Sequence, residues 1–98
     1  MAEFSVSTYQ INSQAEELIR LNNRFRTAVQ ELAQTEAALN QMWEGESREA
    51  FHSAFGRDLS QMQKFSGTTA SYTGALQETV RRYQAAERQN LELAGRRT

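Results

Sequence analysis

The chain has no cysteine and no proline, and only five glycines in 98 residues. Without cysteine it can build neither a disulfide framework nor a thiolate metal site. Without proline, and with so little glycine, few positions can stop a helix, so the chain reads as long helices joined by little loop. No run of apolar residues exceeds three, which excludes a bilayer-spanning helix and predicts no integral membrane segment. The formal net charge of −1 leaves no basic surplus for nucleic acid or anionic lipid. The opening stretch, Met1 to Gln10, lacks both a basic n-region and an apolar h-region, so no cleaved signal peptide is expected. A single histidine, His52, is too little for a metal site and is expected to be a partly exposed helix residue. No carboxylate pair or nucleophile–base spacing suggests catalysis, so neither an enzyme nor a cofactor is expected.

What is present is periodicity. Ile11, Leu18, Phe25, Leu32 and Leu39 recur every seven residues, and Phe4 extends the series backwards. The positions three and four later hold Leu21, Ala28, Val29, Met42 and Trp43, diluted by Asn22, Thr35 and Glu36. Such a pattern marks an amphipathic helix packed along a bundle seam. Ser7 and Gln10 make a capping box, and Val6 with Ile11 supplies a hydrophobic staple, so the first helix is predicted from about residue 8 to about residue 42. A second apolar series follows Gly45: Phe51, Phe55, Leu59, Met62, Phe65, Thr69, Tyr72, Leu76, Val80 and Tyr83. It predicts a second helix from about residue 47 to about residue 92, with a disordered tail ending in Gly95-Arg96-Arg97-Thr98. The stretch from Phe65 to Gly74 holds two glycines and three threonines, which weakens a helix locally. The apolar phase passes through it unbroken, so one continuous helix is expected. Pairs Glu16–Arg20, Glu78–Arg82 and Glu92–Arg96 have the spacing of stabilising ion pairs.

Between the two helices stands Trp43-Glu44-Gly45, the only tryptophan beside a glycine at the midpoint. Glycine supplies the positive φ that reverses a chain after a helix. Trp43 is expected on the last turn of the first helix, folded over the junction. The fold class is therefore all-α, an antiparallel two-helix hairpin. Two helices alone leave much of each apolar stripe uncovered, so the hairpin is expected to dimerise into a four-helix bundle. Ile11, Leu18, Phe25, Leu32, Leu39, Phe51, Phe55, Leu59, Met62, Phe65, Leu76 and Val80 are the expected hairpin or dimer core.

These features resemble the WXG family, small helical-hairpin proteins of the early-secreted-antigen type. The resemblance rests on the length, the hairpin plan, Trp43-Glu44-Gly45 at the central turn, Phe51 and Phe55 opening the second helix, and Tyr83 to Glu87, which fit a C-terminal Tyr-x-x-x-Asp/Glu signature. The longer form of that signature places apolar residues where this chain has Asn90 and Ala94. The resemblance implies export as a folded dimer by the type VII (ESX-type) secretion system, with Trp43, Gly45, Tyr83 and Glu87 as the secretion signal. It implies two partners, a second WXG hairpin and the membrane ATPase of that system. Both signatures lie in one chain, which favours a homodimer over a heterodimer with a sister protein. Read without the resemblance, Trp43 and Gly45 are architecture, Tyr83 is a core aromatic and Glu87 is a solvated charge. Arg81, Arg82, Arg88, Arg96 and Arg97 alternate with Glu78, Glu87 and Glu92, the pattern of a solvated mixed-charge face. Two other readings are an intracellular coiled-coil adaptor and a secreted membrane-active effector. The adaptor leaves the paired signatures unexplained, and the effector lacks the basic polar face that lipid binding favours.

Overall fold

A computed structural model describes residues 7–97 of the chain, with side chains to residue 96; Phe4 and Val6, and with them the expected staple, lie outside the described residues. Helix α1 runs Thr8–Met42 and helix α2 runs Ser47–Arg97. They pack side by side as a hairpin within an envelope of 81 × 19 × 16 Å. At the start of α1 the Ser7 hydroxyl accepts the Gln10 N–H at 3.1 Å, and the Ser7 carbonyl accepts the Ile11 N–H at 3.1 Å. The serine cap thus satisfies a backbone donor that the first turn leaves without a helical partner.

The line of closest contact between the helices is set by small and polar residues. On α1 it is Ala15, Asn22, Val29 and Glu36, all buried and spaced by seven. On α2 the matching series is Leu59, Ser66, Thr73 and Val80, half-buried at Leu59 and buried at the rest. Ala15 is fully covered, at 0 % exposure. Small side chains let the two backbones approach, and the polar ones bond within the contact. Ser66 donates its hydroxyl to Asn22 Oδ1 at 2.9 Å, and Asn22 Nδ2 donates to the Ser66 carbonyl at 3.1 Å. Thr73 turns its hydroxyl back onto its own helix, donating to the carbonyls of Thr69 and Ala70 at 3.0 Å each. No buried side-chain polar atom among the described residues lacks a partner, the condition under which a polar seam is tolerated.

The series read as the core lies beside this seam. Ile11, Leu18 and Phe25 are half-buried, while Leu32 and Leu39 remain exposed. On α2, Phe55, Met62 and Leu76 are half-buried, Phe51 and Phe65 are exposed, and Val80 is buried. The flanking positions fall three residues after and one residue before each seam residue, on both helices. Phe25 meets Phe65 edge-to-face across the helices, with centroids 5.7 Å apart, so the two stripes open on the same side. The hairpin therefore carries one broad apolar face of its own.

Three local expectations are corrected. Trp43 is not on the last helical turn; it is the C-cap of α1, with extended backbone (φ −81°, ψ 122°), and its N–H donates to the Leu39 carbonyl at 2.9 Å. The junction has to leave the helix before the turn, and the extended cap does this while keeping one last helical bond. Helix α2 does not stop near residue 92 but continues through Gly95 to Arg97. Leu91, Glu92, Leu93 and Ala94 offer no breaker, and no proline follows. Arg20 pairs with Glu17, one turn back at i,i+3, in place of Glu16. Across Gly67 and Gly74 the helix is continuous.

Candidate recognition site at the two ends of the hairpin

The turn end is an aromatic cluster on a glycine corner. Gly45 has φ +139°, the sole positive φ among the described residues, in a region that side chains with a Cβ avoid. Its carbonyl accepts the Arg48 N–H at 3.3 Å, which starts α2. The half-buried Trp43 ring lies against Phe51, centroids 5.1 Å apart and tilted by 52°. Phe51 in turn stacks on Phe55 at 6.4 Å. Three rings thus tie the end of α1 to the first turns of α2. Aromatic contacts of this kind add roughly 0.5–1.5 kcal/mol each beyond the area they bury. Immediately inward, His52 Nδ1 lies 2.7 Å from Glu36 Oε2, joining a carboxylate that is 7 % exposed to a ring that is 52 % exposed.

The open end carries the other two residues. Tyr83 follows the buried Val80 by three positions and is 39 % exposed; Glu87, one turn further, is exposed. Gln84 Nε2 donates to the Thr8 hydroxyl at 3.2 Å, which fixes where α1 begins against α2. Beyond that contact α2 continues to Arg97, about 20 Å at 1.5 Å per residue. Thr8, Gln84, Glu87, Arg88 and Leu91 line an open groove of about 410 Å³ there. Nearby, hydrogen bonds from Arg81 first and Arg82 second hold the Glu78 carboxyl below its ordinary range, at 2.8 and 3.2 Å. At the middle of α1 the Arg20 guanidinium does the same for Glu17. These pairs are fully exposed and screened by solvent, so they contribute little to stability.

The structure brings Trp43 and Gly45 together at one end and Tyr83 and Glu87 together at the other. It does not bring the two pairs together within one chain. From the start of α2 to Tyr83 the rise is about 54 Å at 1.5 Å per residue. Between the ends runs the apolar face, on which Phe65 and Tyr72 are each 64 % exposed.

Among the described residues no group of His, Cys, Asp or Glu is placed to hold a metal ion, and no helix is long and apolar enough to cross a membrane. What the surface offers is recognition: rings, amide and hydroxyl donors, and exposed carboxylates, Glu87 among them. Sequence periodicity missed the Asn22–Ser66 and Glu36–His52 contacts. The available sign was a second series, Ala15, Asn22, Val29 and Glu36, with the same spacing as the apolar one and offset from it.

A family model described as "WXG100: Proteins of 100 residues with WXG" matches residues 3–88, a span that includes Trp43, Gly45, Tyr83 and Glu87. No curated protein and no solved structure matches the chain.

Proposed function

The chain belongs to the WXG100 family, and from that premise we propose that it is a secreted interaction protein, exported folded by the type VII (ESX-type) secretion system. It leaves the cell as a dimer with a second hairpin, as substrate or co-secreted partner. Trp43 and Gly45 with Tyr83 and Glu87 form the export signal that the system's membrane ATPase reads.

The observation that carries this reading is the separation of the two halves. Trp43-Glu44-Gly45 closes one end of the rod and Tyr83 to Glu87 lies at the other, with an uncovered apolar face between them. A second hairpin laid antiparallel on that face sets the turn of one chain beside the Tyr-x-x-x-Glu segment of the other. The signal is then complete only once both chains have folded and paired, which couples export to assembly. The chain acts through contacts, with no chemistry of its own. An adaptor confined to the cell would use the same face but has no need of two distant signatures.

Export is tested by expressing the chain in its own cells with and without the membrane ATPase. The expected result is protein in the medium of the parent and protein retained in cells without the ATPase. Equal amounts in both media would overturn the proposal.

A further inference from the structure

Glu87 continues the seam of α2 past the point where α1 begins. Leu59, Ser66, Thr73 and Val80 are the seam residues of α2, and Glu87 follows by the same step of seven. On α1 the series steps back from Asn22 to Ala15 and then Thr8. Asn22 bonds to Ser66, so equal steps set Ala15 opposite Thr73, Thr8 opposite Val80 and position 1 opposite Glu87. Within this sequence only residues 1–6, which lie outside the described ones, can stand beside Glu87 on the α1 side.

The open groove at that end has Thr8 as one wall, with Gln84, Glu87, Arg88 and Leu91 as the others. The chain that leads into α1 therefore passes the mouth of the groove. Leu91 is 68 % exposed, an apolar side chain with little to cover it. Phe4 is the one aromatic among residues 1–6, and its reach fits. Extended chain spans about 3.3 Å per residue, so Phe4 stands about 10 Å from Ser7. Leu91 lies about 10 Å beyond Gln84 at 1.5 Å per residue, and Gln84 bonds to Thr8. Charge agrees as well: Glu3 precedes Phe4, and no ion pair among the described residues reaches Arg88. Gln84, Arg88 and Leu91 fall four, one and four residues after seam positions. At 100° per residue that is the side of the seam away from the apolar face, whose positions fall three after and one before. A partner on the apolar face leaves the groove open.

We propose that residues 1–6 dock in this groove as a strap, with Phe4 against Leu91 and the chain passing over Glu87. The strap's purpose rests on the export role proposed for Glu87: recognition of that carboxylate then has to displace the strap. Its presence is a separate matter and is tested without export.

The first readout is nuclear Overhauser contacts in the unaltered chain. Contacts from the Phe4 ring to the Leu91 methyls are expected. Contacts to Leu76 or Tyr83 instead, on the apolar face, would overturn the proposal, as would none to α2 at all. The second readout uses the absence of cysteine. In the full chain, Glu87→Cys is expected to react with iodoacetamide at least about tenfold faster once Phe4→Ser is added, equivalent to about 1.4 kcal/mol of strap opening. Equal rates would show that nothing covers Glu87 and would overturn the shielding. Neither readout depends on secretion, so a Glu87→Ala chain exported normally would remove the export role and leave the strap standing.

Discussion

Asn22 and Ser66 bond to each other twice across the buried seam of the hairpin, side chain to side chain at 2.9 Å and side chain to backbone at 3.1 Å. The pair sits among alanine, valine and threonine, where any shift of one helix along the other breaks both bonds. A polar pair of this kind fixes register at some cost in stability. Ser66→Ala is expected to leave Asn22 Oδ1 without its donor and to cost about 1–3 kcal/mol. The double variant Asn22→Val with Ser66→Ala should recover most of that loss while allowing the helices to slide. Urea unfolding measures the first effect, and cysteine cross-linking between the helices measures the second. A Ser66→Ala chain as stable as the parent would show that water replaces the lost bond.

Glu36 and His52 form the second polar contact, close to the turn. Glu36 is buried and has no other hydrogen-bond or ion-pair partner among the described residues, so His52→Ala strands its carboxylate. The half-exposed ring lets water enter, which holds the expected loss to about 1–3 kcal/mol, below that of a fully buried pair. Glu36→Leu added to His52→Ala should restore stability, because the seam then closes on an apolar side chain. Thermal unfolding of the single and double variants decides it; a double variant no better than the single would contradict the pairing.

At the corner, Gly45→Val places a β-branched residue at φ +139° and is expected to cost on the order of 1–3 kcal/mol in backbone strain. Space is not the obstacle, since a Cβ at Gly45 would stand 3.8 Å from Trp43 Nε1. Trp43→Ala should cost less than the roughly 3–5 kcal/mol typical of a buried ring, because Trp43 is only half covered in the single hairpin. If the partner covers the ring, the loss grows once the partner is bound. Comparing melting temperatures of the free chain and the complex separates the two contributions.

The start of α1 and the corner between the helices were the most legible parts of the sequence. Ser7 marks the start of α1 because a hydroxyl at that place satisfies an orphan donor, and Gly45 marks the corner because few other residues tolerate its φ. Helix α2 survives Gly67 and Gly74 as its unbroken phase implied, and the buried Thr73 hydroxyl finds its partners in the carbonyls of Thr69 and Ala70. The seam was not legible in the same way. Two seven-residue series run along α1, and hydropathy favours Ile11, Leu18, Phe25, Leu32 and Leu39. Close approach selects Ala15, Asn22, Val29 and Glu36, whose side chains are small or can bond across the helices. The end of α2 was missed because a chain without a stop signal gives no reason to end where its apolar series fades. The candidate export residues were legible as two short signatures, but their placement at opposite ends required the hairpin itself.

The most direct measurement is the secreted fraction of Glu87→Ala. Glu87 is exposed on α2 near the open end of the hairpin, and surface substitutions usually change stability by no more than about 0.5 kcal/mol. Helicity and dimer mass should therefore match the parent, so a change in export reports recognition rather than folding. The expected result is a sharp loss from the medium with accumulation in the cells. A Glu87→Ala chain that folds, pairs and reaches the medium at the parental level would contradict the role assigned to the Tyr83–Glu87 end.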